Sequence, residues 1–193
     1  MNQYRDKRQD FFKSWFNKGL NYSDYIKTGS SIELAKWNNF EKNVVLSDDQ
    51  INLVKSFNRK VNLLILSGIW CGDCQRQIPI LKKFSDINDN ITIKLLDNRE
   101  NPELQEELRI NGAEKVPVVV VLSEDFFELQ RFGDVHLERY RDKLKSQLGA
   151  ACDPGLFTTE SESRSETNSW LELIERCYAV LRISPMLRKR YND

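Results

Sequence analysis

The spacing of apolar and polar positions changes character along the chain. Over residues 8–46 it is helical and rich in aromatics: Phe11, Phe12, Trp15 and Phe16 fall on one side of a short helix that Gly19 ends. Tyr22, Tyr25 and Ile26 form a second apolar group, and Ile32, Leu34, Trp37 and Phe40 extend it in a segment whose pattern fits a helix or a loop. Such aromatic faces predict packing against the main body of the protein, with a partner-docking face or a substrate groove as the alternative. Ser47-Asp48-Asp49-Gln50 caps a further helix lined by Ile51, Val54 and Phe57.

Strand and helix periods then alternate. Residues 61–66 are almost continuously apolar, as a strand covered on both faces requires. Residues 74–87 read as a helix with Ile78, Leu81 and Phe84 on one side, kinked at Pro79, which lacks a donor and crowds the preceding turn. A second strand is predicted over 91–96, a helix over 101–110 with Pro102 in its first turn, and a third strand over 118–122. Residues 126–132 read as a fourth strand, joined to the third as an antiparallel hairpin by Ser123-Glu124-Asp125. Asp134 then caps a helix to about Leu148, its apolar face near Val135, Leu137, Tyr140, Leu144 and Leu148. This order predicts an α/β fold in which helices flank a central mixed sheet.

After Gly149 the composition changes. Thr158 to Ser169 is rich in Ser, Thr and Glu and reads as a linker. Trp170, Leu173, Ile174, Cys177, Tyr178 and Leu181 then recur at helical spacing, predicting a helix that packs back on the domain or on a second subunit, the latter a route to a homodimer through the terminal helices. Arg188-Lys189-Arg190 reads as a solvated basic tail, with anion binding as the alternative. The expected organisation is a helical extension over 1–43 packed on the core, a main domain over 44–149, a linker over 150–168, and a helix and tail over 169–193.

Charge excludes some partners. Lys plus Arg and Asp plus Glu both total 29 of 193 residues, which offers nothing to nucleic acid or to an acidic substrate. No apolar run follows the polar N-terminus, and no stretch approaches the roughly 18 apolar residues that span a bilayer. A cytoplasmic protein without a membrane partner is expected. There a close pair of cysteines is more often catalytic or metal-bound than structural.

That pair lies in Trp70-Cys71-Gly72-Asp73-Cys74, between the first strand and its helix. Two cysteines separated by two residues can open and close a disulfide with little backbone movement, and a helix N-terminus stabilises the thiolate of the first. The four cysteines could in principle hold zinc, but Cys152 and Cys177 do not form a second close pair, and no metal is expected. Cys177 reads as a core thiol, Cys152 as a turn residue, His136 as a surface residue and Asp97 as a strand-end acid that orders the next turn. No dinucleotide or phosphate-binding glycine loop is present in the chain.

Over residues 44–148 the chain resembles thioredoxin, and more closely a bacterial branch of thioredoxin-like proteins with an Asp in the active-site turn. Trp70 precedes Cys71, Pro79 lies five residues after Cys74, Leu96-Asp97 ends a strand, Val116-Pro117 leads into the hairpin, and Gly133 follows the last strand. The resemblance implies that Cys71 is the exposed nucleophile and Cys74 the shielded resolving thiol. It implies a substrate-binding surface of Trp70, Gly72, Val116 and Pro117, with Pro117 in a cis turn; the plainer alternative is a proline that opens a strand. Two departures stand out. The family's buried acid on the strand before the site is replaced by Ile65, and its proline between the cysteines by Asp73. Ionised Asp73 would raise a thiol pKa, act as a displaced general base, or cap the helix.

The resemblance therefore implies a thiol–disulfide oxidoreductase whose catalytic residues are Cys71, Cys74 and Asp73. It would reduce disulfide-containing protein substrates, draw electrons from a thiol or flavoprotein reductant, and need no bound cofactor. A non-catalytic adaptor of the same fold, docking through its aromatic and terminal segments, is the alternative.

Overall fold

The computed structural model describes residues 4–148 and 166–192. Cys152, and the predicted linker as far as residue 165, lie outside the described residues. Helices α1 (Gln9–Lys18), α2 (Tyr22–Ile26), α3 (Ser31–Lys42) and α4 (Asp48–Ser56) precede the first strand. Strands β1 (Val61–Ser67) and β2 (Ile91–Asp97) enclose α5 (Gly72–Ile87), and α6 (Pro102–Glu107) leads to β3 (Val118–Leu122) and β4 (Glu128–Gly133). Helices α7 (Leu137–Leu148), α8 (Glu166–Ile183) and α9 (Pro185–Tyr191) follow.

The strands form one mixed sheet in the order β2-β1-β3-β4. β1 runs parallel to β2 and antiparallel to β3, and β3 antiparallel to β4. β1 lies inside the sheet, so both of its faces need cover, which accounts for its nearly continuous apolar run, broken only by Asn62 before Ser67. Leu63, Ile65, Val119 and Val121 face a core shared with Tyr25, Trp37, Ile78, Leu81, Phe84, Trp170 and Ile174. Leu64, Leu66, Val118 and Val120 point the other way, onto Phe12, Trp15, Phe16, Leu104 and Leu108. The period of two along a strand thus divides the aromatics between the two sides of the sheet.

Local chemistry explains where elements begin. Residues 31–42 are a helix because Ser30 and Glu33 close a reciprocal capping box; Ser47 and Gln50 do the same for α4. Within α3 only Trp37 is fully enclosed, while Ile32 faces solvent. β1 and β2 each run one residue past the predicted strands and pair Ser67 with Asp97. α5 begins at Gly72 and continues through Pro79.

Several expectations are corrected. α6 ends at Glu107 rather than at residue 110. β4 starts at Glu128 because Phe126 takes φ 62° and turns the chain; the Ser123 hydroxyl accepts from the Asp125 and Phe127 N–H groups there. α7 starts at Leu137: Asp134 accepts from its neighbour Val135 N–H and from the Tyr140 hydroxyl instead of capping a helix. Leu137 and Tyr140 are exposed, so the predicted apolar face of α7 is not a core face there. His136 is buried, stacked on Phe132 at 4.2 Å and met edge-on by Trp170 at 4.8 Å. The basic end is helical, and Arg190 pairs with Asp125. The stripe of α8 is buried against the chain's own core. No helix among the described residues is long and apolar enough to cross a membrane.

Candidate active site

The two thiols sit where β1 hands over to α5. A turn closed by the Cys71 N–H on the Gly68 carbonyl, at 2.9 Å, carries the chain out of the sheet. Cys71 is the N-cap of α5: its sulfur accepts from the Cys74 N–H at 3.4 Å, the position a Ser or Asp oxygen usually fills. Free donors at a helix N-terminus favour negative charge, so the cap position itself promotes a thiolate.

The two sulfurs differ sharply. The Cys71 pKa is lowered to about 7, first by the hydrogen bond that Cys74 donates, then by the Cys74 and Asp73 N–H groups; burial and the Asp73 charge oppose this. Cys74 is fully enclosed and pushed well above the ordinary thiol range, chiefly by burial and by its link to Cys71. The Gly68 N–H, 3.5 Å from the Cys74 sulfur, and the Ser67 hydroxyl act against that rise. Both thiols are buried: Cys71 keeps 8% of its surface exposed, against the exposed nucleophile expected, and Cys74 none, so one helical turn holds an acidic thiol nearer the surface and a resistant one beneath.

The surroundings of Cys71 are partly open. The Val116–Pro117 peptide is cis, and the Val116 carbonyl lies 3.7 Å from the Cys71 sulfur. Gly133 allows this turn its close approach: a Cβ there would stand 3.0 Å from the Pro117 carbonyl. Trp70 is 44% exposed, with the Arg99 guanidinium 4.6 Å from its ring centre. Gly68 lies against the same indole, 2.9 Å being all that a Cβ would have. Nothing lies within 4 Å of a Cβ added at Gly72, so that corner of the turn is free. The structure therefore gathers Trp70, Cys71, Gly72, Val116 and Pro117 around one rim.

Of the three readings of Asp73, the helix cap is not met, since Cys71 is the N-cap and Asp73 lies in the first turn. Its carboxylate pairs with Arg76 at 2.9 Å and faces Lys143 at 3.9 Å. Arg76 in turn binds Glu166 of α8 at 2.6 Å. Asp73 reaches the thiols as a charge, opposing ionisation of Cys71. Ile65 is buried in the sheet between Leu95 and Val119, so the usual strand acid is replaced by packing.

Other contributors were not marked by any motif. The Ile69 carbonyl, just before the turn, accepts from the Trp37 indole at 2.9 Å and from the Gln75 amide at 3.0 Å. Trp37 was legible only as an apolar aromatic, and Gln75 carried no signal. Asp97 accepts from the Ile69 N–H at 3.3 Å and from the Arg99 N–H at 2.9 Å, ordering the turn beyond β2. Cys177 is a buried thiol in the α8 core, raised to about 11 by burial. No group of three or more His, Cys, Asp or Glu side chains among the described residues is arranged to hold a metal ion.

No curated protein matches the chain. Among solved structures, a protein of unknown function from Pseudomonas aeruginosa is 20% identical, with a TM-score of 0.63 over 94% of this chain and 98% of that one. An HIV epitope scaffold is 18% identical, with a TM-score of 0.58 over 86% of this chain and 92% of the scaffold. At such identities the likeness concerns the fold alone. The thioredoxin family model matches residues 19–137, which span the sheet, the Cys71–Cys74 turn and Pro117, and begin ahead of residue 44 so as to take in α2 and α3. With these elements matched in order, the chain belongs to the thioredoxin family.

Proposed function

We propose that the protein is a thiol–disulfide oxidoreductase that reduces protein disulfides through Cys71 and Cys74. The observation that carries this reading is the asymmetry of the two thiols at the start of α5: Cys71 at the N-cap, lowered to about 7, and Cys74 one turn on, fully enclosed and raised. A nucleophile works best with a pKa close to ambient pH, where it is substantially ionised and still strongly nucleophilic. A thiol near 7 also resembles that of a reducing thioredoxin more than that of a strong oxidant, at roughly 3.5.

In this reading Cys71 thiolate attacks a substrate disulfide and one substrate thiolate leaves. Cys74 then attacks the Cys71 sulfur of the mixed disulfide and the second substrate thiolate departs. Two electrons pass from the dithiol to the substrate, and no bound cofactor is needed. Trp70, Gly72, Val116 and Pro117 supply the docking rim, and Asp73 tempers the acidity of Cys71. A small thiol or a flavoprotein returns the pair to its reduced state, in the reducing cytoplasm.

The test is turnover of a disulfide-bonded protein such as insulin. Wild type should reduce it, Cys71→Ser should not, and Cys74→Ser should accumulate a covalent mixed disulfide. Equal behaviour of wild type and Cys71→Ser in both assays would replace this reading with a non-catalytic adaptor.

A further inference from the structure

A polypeptide substrate of this site must meet Cys71 and the Val116–Pro117 turn together. The Val116 carbonyl lies 3.7 Å from the Cys71 sulfur, so the height of the turn decides what can lie between them. Residues 114–117 belong to no helix or strand, and no backbone ladder holds the turn from within. A tie from outside has to fix it.

Asp134 supplies that tie. The antiparallel register sets Gly133 opposite Val118, which brings Asp134 level with Pro117. Asp134 is buried, and its Oδ2 pairs with Nζ of Lys115, the residue ahead of Val116, at 3.3 Å. Its Oδ1 accepts from the Val135 N–H at 2.9 Å and from the Tyr140 hydroxyl. Its carbonyl accepts from the amide of Gln77 at 2.9 Å, and Gln77 is fully buried on α5, three residues beyond Cys74. One residue thus joins the strand end, α7, the helix that carries the thiols and the turn that faces them. A carboxylate so enclosed is costly to desolvate, and the fold does not call for a charge there, since β4 ends at Gly133 and α7 begins at Leu137. The cation that answers it leads into the docking turn. Lys115 keeps 44% of its side chain exposed against 7% for Asp134, so the acid is the fixed member and the lysine is the one drawn in.

We propose, building on the dithiol exchange assigned to Cys71 and Cys74, that Asp134 and Lys115 are positioning residues that hold the Val116–Pro117 turn at the height a polypeptide substrate needs. They act through the Val116 backbone and not on the thiols. Their effect therefore falls on a disulfide carried by a polypeptide, which lies along the turn. A small disulfide meets only Cys71 and is indifferent to them. The charge pair thereby favours protein disulfides over small ones.

The experiment compares the second-order rates at which the reduced protein reacts with insulin and with hydroxyethyl disulfide. Asp134→Asn keeps the shape and an acceptor oxygen but removes the charge; Lys115→Met keeps the stem and removes the cation. In each variant the insulin rate should fall about three- to fivefold, as loss of a partly exposed charge pair implies, while hydroxyethyl disulfide reacts within about twofold of wild type. Lys115→Arg, which keeps the cation, should stay close to wild type with both. The double variant should be no slower than either single one, because each removes the same pair. Equal slowing toward both disulfides is the mark of a general structural effect and would overturn the proposal. So would a wild-type insulin rate in either single variant, or losses that multiply in the double variant. A wild type inert toward insulin would overturn the exchange with proteins itself, and the positioning role with it.

Discussion

Replacing Cys74 with Ala should make Cys71 a slower nucleophile in weak acid and a faster one in base. The largest influence holding Cys71 at about 7 is the hydrogen bond from Cys74. Hydrogen bonds to charged groups are worth about 1.5–3 kcal/mol, and one pKa unit is about 1.36 kcal/mol. Losing this bond moves the midpoint up by about one unit or somewhat more, toward the ordinary thiol value of about 8.5, because the Cys74 and Asp73 N–H donors remain. At pH 6.5 the thiolate fraction then falls from about a quarter to about 1–3%. A more basic thiolate is intrinsically more reactive, by about threefold per unit, so the net loss in rate at pH 6.5 is about three- to fivefold. Above about pH 9.5, where both thiols are ionised, the variant should be about threefold faster. Iodoacetamide labelling against pH, read by peptide mapping so that Cys71 is followed alone, measures both limbs. Crossing rate curves are the expected result. A wild-type midpoint at the ordinary thiol value, or a midpoint that does not move in the variant, would refute the reasoning.

Other substitutions test neighbouring parts of the site. Asp73→Asn removes the charge that opposes ionisation of Cys71, so the labelling midpoint should fall below that of wild type. Arg76→Leu breaks the bonds to Asp73 and Glu166; these side chains are partly exposed, so the cost should be about 1 kcal/mol, seen as a melting temperature lower by about 2–4 °C. His136 titrates below its ordinary value because it is buried, so below about pH 6.5 the unfolded chain binds a proton that the folded one refuses. Wild-type stability in urea should therefore decline as pH falls from about 6.5, and the decline should be smaller in His136→Phe. Trp37→Phe removes the indole N–H bond to the Ile69 carbonyl and also leaves space in a fully buried site, so the loss in the same assay should exceed the roughly 0.5–1.5 kcal/mol of the hydrogen bond alone.

Local and periodic information carried much of the fold. The apolar runs of β1 and β3 and the Ser47 cap are each readable because neighbours in sequence decide them. Phe126 and Asp134 depart from their sequence pattern because Phe126 takes a left-handed turn and the Asp134 side chain is held by the Tyr140 hydroxyl. His136 looked exposed because its cover, Phe132 and Trp170, comes from β4 and α8. The cysteine turn and Val116–Pro117 are legible as motifs, whereas Trp37 and Gln75 are not. Their bonds to the Ile69 carbonyl depend on how α3 and α5 pack beside the turn, which leaves no spacing signature. Asp73 was visible from the outset, but its pairing with Arg76 and the tie from Arg76 to α8 depend on tertiary placement.

The central claim is that Cys71 and Cys74 are a reversible redox pair of reducing character. Equilibration in graded dithiothreitol buffers, with alkylation and mass mapping of the two cysteines, tests it most directly. The account predicts one two-electron transition in which both thiols are lost together, at a potential closer to the roughly −270 mV of thioredoxin than to the roughly −120 mV of a strong oxidase. Independent behaviour of the two thiols, or a transition near the oxidase value, would contradict it.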